Sequence, residues 1–476
     1  MSKSIEVRNP RTGKFDYVII PPPPKLIAQQ CNRLRRAQKT WLQLGLAGRI
    51  QVLQKWKQAI ISGRDKLTEA LVNDTGRLSI SVLEIDLFLS GIDHWCQLTP
   101  KLLQESVEDT AISFIQLQQT AVPYPLVGVI SPWTFPLLLS TIDTIGALVA
   151  GCAVIVKPSE MTPRFMAPLL ASLSTVPILR DVLTFLEGAG ETGSALIQYV
   201  DLVCFTGSVA TGRKIAEAAA KRFIPAFLEL GGKNPAIVLP SADLDLATSA
   251  ILWGSVFNSG QSCLSIERIY VAESIFEEFV KQLVGKAQSL ELAHPTLESG
   301  DIGPIITERQ AASISDHLLD AVEQKAVVHC GGEVENYGGA WWCRPTVLTS
   351  VNHSMQIMTE QTNGPIMPVM PFSTIEEAVH LANDSLYGLS AAVFAESETE
   401  ALQVGRQIDA ASISINDAAL SSIMHEGEKN AFKLSGIGGS RTGAAALTRF
   451  LRKKAFLVKT ENISDPWWFD SNGALS

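Results

Sequence analysis

The chain has 476 residues, too many for one hydrophobic core, so two or three subdomains are expected. Hydrophobic residues make up 46% and charged residues 18%, which excludes a disordered chain, and a net charge of −9 gives no reason to expect nucleic acid or an anionic membrane as partner. The seven cysteines (Cys31, Cys96, Cys152, Cys204, Cys263, Cys330 and Cys343) have no CxxC spacing and leave one odd, so no metal site or disulfide framework is indicated.

The N-terminus, MSKSIEVRNPRTGKF, has no apolar segment, so no secretory signal is visible and a reduced, cytoplasmic location is expected. Residues 1–24 are polar and end in Pro21–Pro24, which predicts an extended arm. From Lys25 to about Leu103 apolar residues recur at helical spacing: Leu34, Ala37, Trp41 and Leu44, then Ile50, Leu53, Trp56 and Ile60. Gly45 and Gly48 mark a break between the two sets. Ala111 to Pro123 alternates in part and predicts a half-exposed strand that leaves the main body.

Val122 to Lys157 is the most apolar region, but Pro123, Pro125, Pro132, Pro136 and Asp143 interrupt it, so it reads as buried core and not as a membrane span. Within it, Leu126–Ile130 is a buried strand, Ser131–Pro136 a turn, Leu137–Ala150 a helix and Cys152–Lys157 a second strand buried on both faces. Leu202–Phe205 is another strand, ending in Thr206-Gly207-Ser208, with a helix from about Val209 to Lys221. Strand and helix alternating at this spacing predict a parallel sheet covered by helices. Ligands of such sheets bind at the carboxyl ends of the strands, where Thr134, Lys157 and Ser208 fall.

A second α/β unit is predicted from about Gly231 to Lys453. It contains strand Ala236–Leu239, helix Leu244–Phe257, a strand over Ile266–Val271, helix Phe276–Ser289, helix Ile375–Asn383 and strand Ala391–Phe394. The apolar AFLVK segment near Lys454 could pair with 111–123 as an added sheet. Cys263 lies in this unit, in the small-polar loop FNSGQSC at the head of a strand. A substrate can approach a thiol there closely, and nearby backbone N–H groups can stabilise a thiolate. A carboxylate, Glu229, stands just before the Gly-Gly turn of FLELGGKNP.

The motifs SPWTFP, KPSE, FTGS, LELGGKNP, FNSGQSC, NGPIMPV, ANDSLYGLSAAVF and KLSGIGG follow one another in this order. Together they resemble the NAD(P)-dependent aldehyde dehydrogenase superfamily over essentially the whole chain. The resemblance implies an α/β fold with a Rossmann-like NAD-binding domain (1–110 and 125–230) and an α/β catalytic domain (231–453). It adds a small β oligomerisation arm with the C-terminal tail (111–124 and 454–476).

Cys263 matches the family's nucleophile, which forms a thiohemiacetal and then a thioester. Glu229 matches the general base that activates the hydrolytic water. Lys157 and Glu160 match the residues that hold the adenosine ribose, and a carboxylate at Glu160 repels a 2′-phosphate, so NAD is expected over NADP. Gly207 and Ser208 open a helix toward the pyrophosphate, although GSVATG is not a GxGxxG sequence. Ser131, Trp133 and Gly231 complete the expected cofactor site.

Three positions depart from the family pattern. Thr134 stands where the family has an asparagine whose amide helps form the oxyanion hole. Gln361 stands where a carboxylate holds the nicotinamide ribose, and it can bond a hydroxyl only without charge assistance. Asn363 replaces an aromatic that flanks the nicotinamide. All three are expected around the reacting carbonyl, where they either retune the site or weaken oxidation.

The expected activity is NAD-dependent oxidation of an aldehyde to its acid. The substrate is expected to be apolar, long-chain or aromatic, since no arginine pair is visible for a second carboxylate. Acyl transfer to coenzyme A is an alternative that Glu229 argues against, and a non-catalytic binding or structural protein is another. A homodimer or homotetramer is expected. Trp467, Trp468 and Phe469 read as packing against the chain's own surface or a neighbouring subunit. Trp341-Trp342-Cys343 reads as core, and His329, His353 and His425 as structural or surface residues.

Overall fold

The apolar strand Leu126–Ile130 is buried along its whole length and pairs in parallel on both edges, with Ala153–Lys157 on one side and Leu202–Thr206 on the other. Leu183–Phe185 and Ala226–Glu229 extend the sheet in parallel, and Gly436–Ile437 closes one edge antiparallel. Strands this rich in Val, Ile and Leu need cover on both faces. Helices such as Pro136–Ala150 and Val209–Arg222 supply it, together with the N-terminal helices Pro24–Gln43, Gly45–Ser62, Arg64–Thr75 and Leu78–Leu102. The two buried tryptophans of that scaffold satisfy their indole N–H groups, Trp41 on Leu148 O at 2.9 Å and Trp56 on Ser172 Oγ at 2.9 Å. The predicted break falls at Leu44–Gly45, with Gly45 at φ +66°.

This computed structural model describes residues 4–104, 106–424 and 426–462. The second sheet runs in the order Val327–Cys330, Thr346–Thr349, Ile366–Phe372, Ile266–Ala272, Asn234–Val238, Ser390–Phe394, Ser412–Ile415. It is parallel throughout except for its first pair. Two apolar clusters pack on its faces. Leu451–Lys459 pairs antiparallel with Ile115–Pro123, which also pairs with Ser106–Asp109 in a small separate sheet. The fold is α/β with parallel sheets and covering helices, as the motifs implied.

Two features differ from the sequence reading. The N-terminal arm is not simply extended: Ile5–Arg8 and Phe15–Ile19 form an antiparallel hairpin. Its strands are too short and polar to show an alternating pattern. The segment 231–453 is also not one unit. Gly436–Ile437 joins the first sheet, and Ala446, Leu447 and Phe450 are buried in the first core. Phe450 fits there because Gly146 leaves room, a Cβ at Gly146 falling 3.2 Å from its ring. Trp342 and Cys343 are fully buried, as expected of core. His329 bonds Thr349 at 2.7 Å, and His353 bonds Tyr270 at 2.9 Å and Asp384 at 2.6 Å. His425 and the Trp467-Trp468-Phe469 cluster lie outside the described residues.

Candidate active site

Helix Leu244–Val256 ends in a tight turn whose residues Asn258, Ser259 and Gly260 are left-handed in succession, at φ 59°, 56° and 70°. Left-handed non-glycine residues cost of order 1 kcal/mol each and need outside support. Asn258 Nδ2 donates to Thr134 O at 3.1 Å and Gln261 O at 2.8 Å. Ser259 Oγ donates to Gly303 O at 2.9 Å, and Gln261 Nε2 to Pro304 O at 3.2 Å. At Gly260 an added Cβ would sit 2.1 Å from Gly364 O, so the Cys263 loop and the 360 turn touch backbone to backbone.

The Gly-Gly turn after Glu229 is shaped by the same loop. A Cβ at Gly232 would fall 2.5 Å from Cys263 O, and that carbonyl accepts from Asn234 Nδ2 at 2.9 Å. Asn234 also donates to Ser265 O at 2.8 Å and accepts from Ser390 N at 3.0 Å, which ties three segments together. The glycines and asparagine of LELGGKNP thus seat the cysteine. Cys263 is half-buried. Burial first, and then the nearby Glu229 carboxylate, push its thiol above the ordinary value. Arg441, Lys429 and the residue's own amide N–H act in the opposite direction.

Thr134 is held through its carbonyl, which accepts from Arg77 Nη2 at 3.1 Å as well as from Asn258. Arg77 is buried and lies over the Phe135 ring at 5.8 Å. Glu84, also buried, accepts from Leu137 N and Leu138 N, both at 3.0 Å, and so caps the helix that follows Thr134. Both amide hydrogens of Asn258 are used, so Asn258 does not replace the donor missing at Thr134. Aromatic side chains border this corner. Phe135 stacks with Phe257 at 6.0 Å, and Trp253 meets Phe257 at 4.9 Å.

At the strand ends of the first sheet, Lys157 Nζ lies 3.2 Å from Glu160 Oε2. A buried ammonium beside a carboxylate offers both a donor and an acceptor, which suits the paired hydroxyls of a ribose. Ser208 caps helix Val209–Arg222 by accepting from Thr211 N at 3.3 Å. Two expected cofactor contacts are turned elsewhere. The Gly207 N–H donates to Glu229 O at 3.1 Å, and Ser131 Oγ bonds Ser140 Oγ at 2.6 Å. The glycine at 207 is required by packing, since a Cβ would fall 2.5 Å from the Phe205 ring. Trp133 is half-buried in the turn next to Thr134.

The 360 turn is pinned by Glu267. Its carboxylate accepts from Thr362 N, Asn363 N and Lys233 Nζ, each at 2.8 Å. Gln361 Oε1 lies 2.4 Å from where a Gly231 Cβ would be, and its amide bonds Asn363 at 3.1 Å. Gln361 and Asn363 therefore face the Gly-Gly turn as a bonded pair of amides. Glu267, Arg77, Asn258, Lys429 and Arg441 went unnoticed in the sequence, because each acts across a contact far along the chain.

The aldehyde dehydrogenase family pattern matches residues 1–456. This chain belongs to the aldehyde dehydrogenase family. Among the relatives, a Methylomonas sp protein named 4,4'-diapolycopene aldehyde oxidase is 35% identical over 94% of this chain and 84% of its own length. A Mycolicibacterium smegmatis protein named for NADP(+)-dependent succinate-semialdehyde dehydrogenase is 33% identical over 92% of this chain and 86% of its own. A solved structure from Anabaena variabilis, assigned as an aldehyde dehydrogenase, has 73% identity and a TM-score of 0.98. It covers 98% of this chain and 100% of that one. The protein is an aldehyde dehydrogenase that uses a nicotinamide dinucleotide, and among its described residues no helix is long and apolar enough to cross a membrane.

Proposed function

We propose that this aldehyde dehydrogenase oxidises an apolar aldehyde, long-chain or aromatic, to the carboxylic acid with NAD. The observation that carries the substrate class is the aromatic group beside the Cys263 loop. Phe135 and Phe257 are half-buried, and Trp253 is 44% exposed, against a loop otherwise built of small polar residues. Flat apolar faces bind an apolar chain or ring by burial, at about 25 cal/mol per Å² removed from water. The relative named for a diapolycopene aldehyde supports a long apolar substrate.

In this reading Cys263 Sγ attacks the aldehyde carbon to give a thiohemiacetal. Its oxyanion is met by the Cys263 N–H and the Thr134 hydroxyl. Bound NAD supplies the acceptor for the hydride that leaves this carbon. Glu229 then takes a proton from water, which attacks the resulting thioester and returns Cys263 as the leaving group. Lys157 and Glu160 hold the adenosine ribose, and the Glu160 charge disfavours a 2′-phosphate. Ser208 faces the pyrophosphate, and Gln361 faces the nicotinamide ribose from beside Gly231.

The test is NADH or NADPH formation with a panel of aldehydes: acetaldehyde, succinate semialdehyde, long-chain, aromatic and terpenoid. Wild type is expected to turn over apolar members with NAD, and Cys263→Ala to turn over none. Preference for succinate semialdehyde, or for NADP, would sink the substrate or cofactor part. Turnover by Cys263→Ala would sink the mechanism.

A further inference from the structure

A buried charge cluster lies behind the Cys263–Glu229 pair. Asp143, on helix Pro136–Ala150, accepts from Arg441 Nη2 at 3.0 Å and from Arg449 Nη2. Arg441 Nη2 also donates to Thr206 Oγ1. Thr206 is the register partner of Glu229 in the first sheet, and Gly436 pairs with Glu229 from the other side. The guanidinium is therefore fixed at the carboxyl end of these strands, next to the Glu229 position. Its Nε is buried and has no hydrogen-bond partner. Lys429 is tied alongside, its amide donating to Ser440 Oγ at 3.0 Å.

The charges are organised. Asp143, Arg441 and Arg449 together leave a single positive charge, and Lys429 adds another. Opposite stand the Glu229 carboxylate and, once ionised, the Cys263 thiolate. Asp143 takes the direct salt bridge to Arg441, so Glu229 feels the guanidinium as a field and keeps its oxygens free for water. Among the described residues none forms an ion pair with Glu229.

We propose that Arg441 is a positioning residue for the nucleophile: clamped by Asp143 and Thr206, its guanidinium balances Glu229 so that Cys263 can ionise beside a base that is itself charged. The proposal rests on the roles given above to Cys263 and Glu229. The step it assists is loss of the Sγ proton to solvent, with the electron pair staying on sulfur. The charged groups facing each partner all belong to this cluster. Cys263 faces Glu229, Arg441 and Lys429. Arg441 faces Asp143, Glu229, Cys204 and Cys263. Lys429 faces Glu229, Cys263 and Arg441. Burial favours the neutral thiol, and Glu229 adds to that, so without the two cations the thiol would ionise at a still higher pH.

Iodoacetamide alkylation of Cys263 across pH, read by peptide mass spectrometry on the full chain, measures thiolate formation without turnover. Arg441→Gln is expected to raise the midpoint by about one pH unit, and Arg441→Lys to raise it less. Glu229→Gln is expected to lower it. The double variant Glu229→Gln/Arg441→Gln removes one charge of each sign and is expected to return near wild type. This pair of variants also serves where Arg441→Gln alone does not fold. Equal midpoints in wild type and folded Arg441→Gln, or in Glu229→Gln with and without Arg441→Gln, would overturn the proposal. Failure of the underlying mechanism would appear separately, as an active Cys263→Ala enzyme.

Discussion

At Thr134 one hydrogen-bond donor decides how well an oxyanion is held. The backbone around it is firmly built, with Arg77 and Asn258 on its carbonyl, so the site lacks an amide and not an architecture. Thr134→Asn is expected to raise kcat about tenfold, a part of the roughly 10²–10³ that a lost oxyanion donor costs elsewhere. A fall in kcat, measured as NADH formed at saturating aldehyde, would mean that threonine belongs to a retuned site. The raised thiol of Cys263 makes a second prediction. The neutral form is favoured, so less thiolate is present at neutral pH than in a free cysteine, whose pKa is about 8.5. Alkylation by iodoacetamide should keep rising past that pH, and a plateau below it would contradict the burial argument. Cys263 and Glu229 were legible because their motifs surround them. Arg441 was not, since nothing in KLSGIGGSR indicates that its side chain reaches Asp143, on a helix of the other half of the chain.

Among the elements, the strand Ile266–Ala272 shows how a charge can be misread. It was predicted as a strand, and a glutamate within it would ordinarily be taken to face solvent. Glu267 is instead 2% exposed and joins the Gly-Gly-Lys turn to the 360 turn. Removing one partner of a buried pair leaves the other charge uncompensated, at about 3–5 kcal/mol. Glu267→Ala should lose about that much stability in a denaturant titration. It should also raise KM for NAD, because Gln361 and Asn363 are no longer held against the Gly-Gly turn. An unchanged KM in a folded variant would show that the turn holds its shape without Glu267.

For the whole molecule, the small sheet is where a partner is expected. Val107, Gln118 and Phe456 lie opposite one another on one face, with Val107 62% and Phe456 48% exposed. Leu457, on the other face, is 73% exposed. A sheet with apolar side chains open on both faces is better buried against a second copy of the chain. The protein is expected to sediment as a dimer or tetramer. Phe456→Asp with Leu457→Asp should lower the mass seen by analytical ultracentrifugation, and an unchanged mass would place the interface elsewhere.

The sequence by itself determined the alternation of strand and helix, the identity of the family and the positions of the thiol and its base. Those rest on local patterns: apolar runs such as Leu126–Ile130, and motifs whose glycines are demanded by close backbone contact. Tertiary structure alone decided the rest. Only folding returns Gly436–Ile437 to the sheet of Glu229 and carries Arg441 to Asp143. Only folding turns the Gly207 amide toward Glu229 and away from a cofactor. The physical reason is that charge and hydrogen bonding in a buried site are set by distance through space, and residues brought together there lie hundreds of positions apart in the chain.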